Sequence, residues 1–267
     1  MREAQDGARE ALERVVRAIQ DDVYGIALRF LWHPEDAEDA TQEILVRVVT
    51  RLAGFRGESA FRTWVYRIAS NTLLNLRRGR MEERRWTFEA FGEDLDRGLS
   101  DDPVSLEQPV ERALLLEEVR IGCSLGMLLC LERPARLSYI LGEILELDHR
   151  EAAAVLDIAP AAFRQRLARA RAAVSDFMLA RCGLVNPANP CRCRRRVGAA
   201  VALGRLDPGR LLHARNLQRA RAFPELLEEI RALEEGRRAV ALYRAQARPT
   251  DSGDFVDAVR RLIDERR

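Results

Sequence analysis

Residues 33–80 read HPEDAEDATQEILVRVVTRLAGFRGESAFRTWVYRIASNTLLNLRRGR, and this stretch decides the fold. It predicts two helices joined by a short turn at residues 54–57, which contains two glycines. Pro34 opens the first helix, where its missing N–H does least harm. Carboxylates fill the first turns of that helix and complement the positive end of the helix dipole. An acidic helix therefore leads into a second helix that is aromatic and basic.

Aromatic and cationic side chains are concentrated in the turn and the second helix. An opened nucleic-acid strand is bound by rings that stack on bases and by cations that contact its backbone. Within a few turns the chain offers both kinds of group, at Phe55, Arg56, Phe61, Arg62, Trp64, Tyr66 and Arg67. The alternative is that Phe61, Trp64 and Ile68 are core residues, which their helical spacing alone would explain.

The segments DAEDATQEIL (36–45), FRG (55–57), FRTWVYRIASN (61–71) and RR (77–78) carry a resemblance over residues 15–80. They resemble the second conserved region of sigma-70 family initiation factors, in particular the extracytoplasmic-function (ECF) group. The resemblance implies that the acidic helix docks on the clamp of bacterial RNA polymerase, through Glu35, Asp36, Glu38, Asp39, Gln42 and Glu43. It implies that the turn and second helix read the melted minus-ten element, through Phe55, Arg56, Arg62, Tyr66, Arg67, Asn71, Arg77 and Arg78. The sequence departs from the family pattern at Ser70 and Asn75, where Arg and Asp are usual.

The composition of the 267 residues favours an all-α protein with no catalytic motif. Hydrophobic residues make up 47% and charged residues 32%, all 44 basic residues are arginine, and no strand-like alternation of useful length is present. The longest apolar run, residues 125–131, is too short to span a bilayer, and the charged N-terminus lacks a signal core. We therefore expect a cytoplasmic protein. The chain has no nucleotide-binding loop and no HExxH motif, so an enzyme is not expected.

Residues 86–110 have the composition of a linker. They are rich in carboxylates, glycine and proline, with Arg97 as the only basic residue. We expect an acidic, flexible linker between two helical domains. A plain solvated tether and a segment that threads into the polymerase, as the resemblance implies, both remain open.

Residues 148–177 predict a helix, a tight turn at 156–159 and a second helix opened by Pro160. Phe163, Leu167 and Val174 lie on its buried edge. A face of small and basic residues on such a second helix fits the major groove, where arginine and glutamine address base edges. The predicted DNA-binding residues on this helix are Ala161, Arg164, Gln165, Arg166 and Arg169. A solvated basic face on an ordinary helical hairpin is the alternative.

LERPARLSYILGEILELDHREAAAVLDI (131–158) and AFRQRLARAR (162–171) resemble sigma region four, which reads the minus-thirty-five element. The departures are Ala159, where a Ser cap is usual, and Asp157, where Gly is frequent. Two such blocks in this order imply a dissociable factor that joins polymerase core, binds promoter DNA and helps to open it. The predicted domains are region two at 1–85, a linker at 86–110, region four at 111–180 and a helical, regulatory extension at 181–267.

The extension begins with three cysteines in RCGLVNPANPCRCRRRV (181–197). Cys182, Cys191 and Cys193 could bind zinc with a fourth ligand such as His213, Cys123 or Cys130, although no cofactor is required. Free or redox-active thiols and a purely structural use remain open, and Cys123 and Cys130 fit an apolar helix core. Three more helices are predicted at 208–223, 224–247 and 253–267, which could hold the factor inactive in place of a separate anti-sigma protein.

A second class of function remains open from the sequence. A stand-alone helix-turn-helix regulator would explain residues 148–177 without any polymerase partner. It would not need the acidic helix at 35–43 or the aromatic pair Trp64 and Tyr66. Binding to polymerase core therefore distinguishes the two functions.

Overall fold

The computed structural model describes residues 1–77, 81–84, 86–100, 109–246 and 255–264. In these ranges the backbone is helical, apart from loops and one isolated bridge between Cys182 and Cys191, which confirms the predicted all-α fold. The α-helices are α1 (Arg2–Gln5), α2 (Arg9–Leu31), α3 (Pro34–Arg51), α4 (Phe61–Asn75), α5 (Phe88–Arg97), α6 (Pro109–Leu129), α7 (Arg133–Tyr139), α8 (His149–Leu156), α9 (Pro160–Arg181), α10 (Cys193–Ala202), α11 (Leu217–Ala232), α12 (Glu235–Ala245) and α13 (Phe255–Asp264). None of the helices in the described ranges is both long and apolar enough to cross a membrane.

Backbone contacts divide the chain into two compact units. The first contains residues 1–83, 133–168 and 247–267, and the second contains residues 84–132 and 169–246. These units reflect contact density, whereas the domains predicted from the sequence reflect function. The predicted domain boundaries therefore stay a prediction.

The core of the first unit is built from α2, α3 and α4, which pack against one another. The three- and four-residue spacing of α3 buries its apolar side, at Ala37, Ala40, Ile44, Leu45 and Val48. His33 caps the start of α3, because its Nδ1 accepts a hydrogen bond from the Glu35 backbone N–H at 3.3 Å. The acidic side of α3 consequently faces away from the core.

A buried carboxylate joins α7 to the helices of this core. Arg133 Nη2 donates to Glu82 Oε2 at 2.9 Å, and Arg136 Nη1 donates to Glu82 Oε1 at 2.7 Å. Arg133 also donates to the carbonyl oxygens of Leu74 and Leu76 at the end of α4, and Arg136 donates to that of Phe30 near the end of α2. Helix-terminal carbonyls that have no partner within their own helix are thus satisfied by two arginines.

The helix-turn-helix predicted at residues 148–177 is present as α8 and α9. Asp148 caps α8, because its carboxylate accepts the N–H groups of Arg150 and Glu151 at 2.7 and 3.0 Å. Asp157 ends α8 in the left-handed region with φ of 53°, the conformation that explains why glycine is frequent there. Before α8, a π-helical turn at Ile140–Ile144 contains Gly142, where an added Cβ would lie 2.7 Å from a methyl carbon of Leu167. Close packing on α9 therefore requires glycine at position 142.

The second unit contains α5, a helix inside the segment that the sequence predicts to be an acidic, flexible linker at 86–110. Thr87 caps the helix, since its Oγ1 accepts the Ala90 N–H at 3.1 Å, and Phe91 and Leu95 are buried. Asp94 receives a two-pronged contact from Arg205 and a third bond, 3.2 Å long, from Arg196. The acidic composition suggested a solvated segment, but at Asp94 the negative charge has internal partners. Residues 101–108 of the predicted linker lie outside the described residues.

The helices of the extension differ in their bounds from the predicted ones. Residues 208–216 are not helical, and α11 begins at Leu217 after the cap Asn216, whose Oδ1 accepts the Arg219 N–H at 3.0 Å. Helix α11 then continues through Pro224, where the sequence predicted a break. The proline removes one backbone donor, and the flanking turns keep their helical geometry. Glu118 fixes the preceding loop by accepting the backbone N–H groups of residues 212–214.

We predict that Glu82→Gln lowers the free energy of unfolding by about 3 kcal/mol, because it leaves two arginines without their counter-charge in a buried setting. Burial opposes ionisation of Glu82, but the hydrogen bonds and charges of Arg133 and Arg136 hold its pKa below the ordinary value. The stabilisation is therefore full above about pH 4.5 and is lost as the pH falls through the lowered pKa. Urea denaturation of both forms between pH 3.5 and 7 measures the difference.

Glu83→Gln is the matched control, since Glu83 is the exposed neighbour in the same turn. We expect it to change the unfolding free energy by less than about 0.5 kcal/mol. Equal losses in the two variants, or a loss at Glu82 that does not depend on pH, would contradict the role of the buried cluster.

Candidate nucleic-acid interface

A cavity of about 440 Å³ lies at the turn before α4. It is lined by Gly54, Phe55, Arg56, Glu58, Ser59, Trp64 and Arg67. Gly57 has φ of 75°, a left-handed conformation that reverses the chain and that larger residues rarely adopt. The turn thus brings aromatic, cationic and acidic groups around one opening, as the spacing of these residues indicated.

Two rings line this cavity, those of Phe55 and Trp64, and the ring of Phe61 packs against both. The ring centres of Phe55 and Trp64 lie 5.3 Å apart, those of Phe55 and Phe61 lie 5.4 Å apart, and those of Phe61 and Trp64 lie 5.8 Å apart. Phe61 and Trp64 pack on a buried cluster that includes Leu52. Trp64 is therefore half-buried: it packs on the core, as its spacing predicted, and it also lines the cavity, which the spacing did not reveal.

Gln5 supports the turn from the N-terminal helix. Its Nε2 donates to the Phe55 carbonyl oxygen at 2.8 Å and to that of Leu52 at 3.3 Å. The sequence gave no sign of this role, because Gln5 and Phe55 are 50 residues apart in the chain. A long-range bond of this kind restricts the conformation of the backbone that carries Phe55.

The structure argues against the predicted contact of Tyr66 with DNA. Only 1% of Tyr66 is exposed, and its hydroxyl donates to Asp22 and accepts from Arg62 Nε at 2.6 Å. Burial and the carboxylate of Asp22 raise the pKa of Tyr66 to about 12. The ring is a core residue in this arrangement. Arg62 lies one turn earlier on the same side of α4, and both side chains reach Asp22 of α2. Arg62 remains exposed, at 3.1 Å from Asp22.

Part of α4 contacts α8 within the first unit. Arg67 Nε donates to the Ala154 carbonyl oxygen at 3.1 Å, and Thr63 Oγ1 donates to Glu151 Oε1 at 2.7 Å. Arg67 is nevertheless exposed, as are the predicted residues Arg56, Asn71 and Arg77. The remaining predicted residue, Arg78, lies outside the described residues.

The predicted polymerase-binding residues lie along α3, and none of them is buried. Glu35 and Asp39 are exposed, and the others are partly exposed, at Asp36, Glu38, Gln42 and Glu43. Glu43 accepts a hydrogen bond from Arg47 one turn later, at 2.5 Å. The outer side of the first three turns of α3 is therefore an accessible acidic surface.

The predicted DNA-reading residues of α9 are also accessible. Ala161, Arg164 and Gln165 are exposed, Arg166 is half-buried, and Phe163 and Leu167 are buried on the opposite side. Farther along the helix, in the part that belongs to the second unit, Arg169 is exposed. The predicted division of α9 into a core edge and a basic face is present.

The three cysteines of the extension lie in the second unit and are partly buried. Cys182 and Cys191 form the isolated bridge, and Cys193 is the first residue of α10. As the side chains stand, no group of three or more His, Cys, Asp or Glu residues in the described part of the chain is positioned to hold a metal ion.

Comparison with known proteins identifies relatives of this chain. Residues 15–83 match the family model for sigma-70 region 2. The RNA polymerase sigma-H factor of Pseudomonas aeruginosa is 30% identical over 176 residues, which cover 65% of this chain and 89% of that protein. The ECF RNA polymerase sigma-E factor of Escherichia coli strain K12 is 30% identical over 174 residues, which cover 64% and 88%. A solved structure of CnrH in complex with the cytosolic domain of CnrY has 26% identity and a TM-score of 0.47, and covers 67% of this chain and 94% of that one.

The family model covers the helices that surround the cavity, and the relatives extend the match beyond it. Both relatives are matched over nearly their whole length at 30% identity. The chain belongs to the sigma-70 family of RNA polymerase sigma factors, in its ECF group.

Proposed function

We propose that this chain binds the core of a bacterial RNA polymerase, directs it to specific promoters and helps to open the DNA there. The observation that carries the proposal is the cavity lined by Phe55, Arg56, Trp64 and Arg67, in a chain of the ECF sigma group. The role is one of binding rather than catalysis. Because bacterial polymerase acts in the cytoplasm, the same location is proposed for this chain.

The cavity has the chemistry to hold an unstacked base of the opened minus-ten strand. Base stacking on an aromatic ring contributes about 1–3 kcal/mol, and Phe55 is the ring of the turn itself. Arg56 and Arg67 supply positive charge for the strand backbone, while Glu58 and Ser59 can accept or donate hydrogen bonds at a base edge. Sequence preference would then come from the polar lining and affinity from the ring and the arginines.

The acidic surface of α3 is proposed to dock on the polymerase clamp. Its carboxylates stand on a helix whose opposite side is fixed in the core, so the surface keeps its shape on binding. Complementary charge mainly accelerates association and orients the partners. The exposed face of α9, with Arg164 and Gln165, is proposed to enter the major groove of the minus-thirty-five element.

The described arrangement of the first unit is proposed to be a closed form. Arg67 donates its Nε–H to Ala154, so a strand that draws the guanidinium toward its phosphates would loosen the contact of α8 with α4. Helix α13 also packs on α2 and α3. The ring centres of Phe255 and Tyr24 lie 6.2 Å apart, and Arg260 Nε donates to Glu13 Oε1 at 3.0 Å. The extension is thereby proposed to regulate access to the polymerase-binding helix.

Promoter-directed transcription with purified bacterial core polymerase and a pool of genomic promoter fragments tests the function. We expect specific initiation by the full chain and about tenfold less by Phe55→Ala, since the variant loses one stacking surface. Phe88→Ala, which removes a partly buried ring outside the interface, is the control for a general effect on folding. Duplex binding without initiation or polymerase binding would indicate a stand-alone helix-turn-helix regulator.

Arg164→Ala tests the basic face of α9. The side chain is exposed, so its removal leaves the core intact and should reduce promoter affinity about tenfold while polymerase affinity is unchanged. Arg237→Ala removes an equally exposed arginine in α12 and should change neither affinity. Gel-shift titration with holoenzyme at a fixed salt concentration measures both. Undiminished promoter binding by Arg164→Ala would refute the assignment of this face.

Val259→Asp tests the docking of α13. Val259 is 2% exposed, and a carboxylate there is costly to bury, so the short helix should detach. We expect the apparent Kd for core polymerase to fall about threefold to tenfold, because the competent form becomes more populated. Arg261→Asp introduces the same group at an exposed position of α13 and is the control. Equal Kd values for wild type and Val259→Asp, measured by fluorescence anisotropy, would remove the regulatory role of this helix.

A further inference from the structure

All five cysteines lie in the second unit, and four of them are grouped around the start of α10. Cys182 directly follows α9, Cys191 pairs with it through the isolated bridge, and Cys193 begins α10. Helix α6, which carries Cys123, packs against α10. Cys123 lies one turn after Val119, on the side of α6 that packs against Val197 of α10. The fifth cysteine, Cys130, instead donates to the Gly126 carbonyl oxygen at 3.5 Å.

The segment from residue 182 to residue 193 is a tight, well-bonded loop. The Gly183 N–H donates to the Cys191 carbonyl oxygen at 3.1 Å, and the Asn186 N–H donates to that of Cys182 at 2.9 Å. The Asn189 amide donates to the Leu179 carbonyl oxygen of α9 at 2.8 Å. At Gly183 an added Cβ would lie 2.3 Å from the Cys191 carbonyl oxygen, so only glycine fits there. The loop thus fixes the backbone positions of all three of its cysteines.

Several groups around these thiols can stabilise negative charge on sulfur. The backbone N–H groups of Leu184 and Val185 donate to the sulfur of Cys182, which stabilises its charged form. Cys193 stands at the N-terminus of α10, where the helix dipole also favours negative charge. The positive charges of Arg192 and Arg196 stabilise a negative charge on Cys191, and that of Arg120 stabilises one on Cys193.

Burial and mutual repulsion act against those thiolates when no cation is present. A bound divalent metal removes this conflict, because a coordinated thiol is deprotonated outright.

We propose that Cys123, Cys182, Cys191 and Cys193 bind one zinc ion as a tetrathiolate site. Four sulfur ligands in a tetrahedron are a common structural zinc arrangement. Here Cys191 and Cys193 are separated by one residue, and Cys123 and Cys182 come from other segments of the chain. Because the described side chains do not yet converge on one point, the thiols must move inward as the ion binds. Cys123 is assigned as the fourth ligand, in place of the core role that its helix suggested.

The first test uses the full chain, purified under reducing conditions with zinc and then passed over a desalting column. Elemental analysis should find about one zinc per chain, and replacement by Co²⁺ should give the intense visible absorption of a tetrahedral thiolate site. Cys123→Ser should weaken zinc binding about tenfold or more, whereas the matched variant Cys130→Ser should bind like wild type.

A second test needs no variant, so it remains decisive if Cys123→Ser does not fold. Alkylation of the wild-type chain followed by mass spectrometry identifies the thiols that zinc protects, which should be these four and not Cys130. Substoichiometric zinc in the wild type, equal affinities in the two serine variants, or alkylation of Cys123 that zinc does not slow would overturn the proposal. None of these measurements depends on transcription, so the failure of this site is distinguishable from failure of the proposed function.

Discussion

The first unit depends on one buried carboxylate. Glu82 is 6% exposed and holds Arg133 and Arg136, which in turn bind the terminal carbonyls of α4 and the end of α2. Each arginine would be costly to bury without that charge, and each carbonyl would lack a partner without the arginine. Three segments that are far apart in sequence are therefore fixed by a single group. The position of α7 relative to α4 follows from it, and α8 leads on from α7.

The two sides of helix α4 consequently have different roles. Its inner side is core, as the burial of Val65, Tyr66 and Leu73 shows. Its outer side carries Arg67, which lines the cavity and also donates to α8. A strand that draws the Arg67 guanidinium toward its backbone would compete with α8 for that side chain. On the proposed function, strand binding and the position of the helix-turn-helix are coupled through this side chain, and such differential contacts are what a shift between two states requires.

Local patterns in the sequence predicted the helices, the acidic surface of α3 and the two sides of α9, because these follow from periodicity, caps and dipoles. They predicted the cavity residues Phe55, Arg56 and Arg67 because the turn is short. They could not predict that Tyr66 is buried and bonded to Asp22, or that Gln5 supports the turn. They also could not predict that Cys123 lies near the loop cysteines. Those depend on contacts between distant segments. Helix α5 was missed because acidic composition suggests solvation, while the partners of Asp94 come from residues 196–205.

The strength of the contacts between α8 and α4 determines what the closed form can do. Two side-chain hydrogen bonds contribute about 0.5–1.5 kcal/mol each, and that of Arg67 is at an exposed position where water competes. Specific protein–DNA complexes have dissociation constants of roughly 10⁻⁸ to 10⁻¹¹ M, which correspond to about 11–15 kcal/mol. Promoter and polymerase together can therefore open this contact, which lowers the apparent affinity but does not block binding. A modest bias of this size suits a factor that must exchange between a free and a polymerase-bound form.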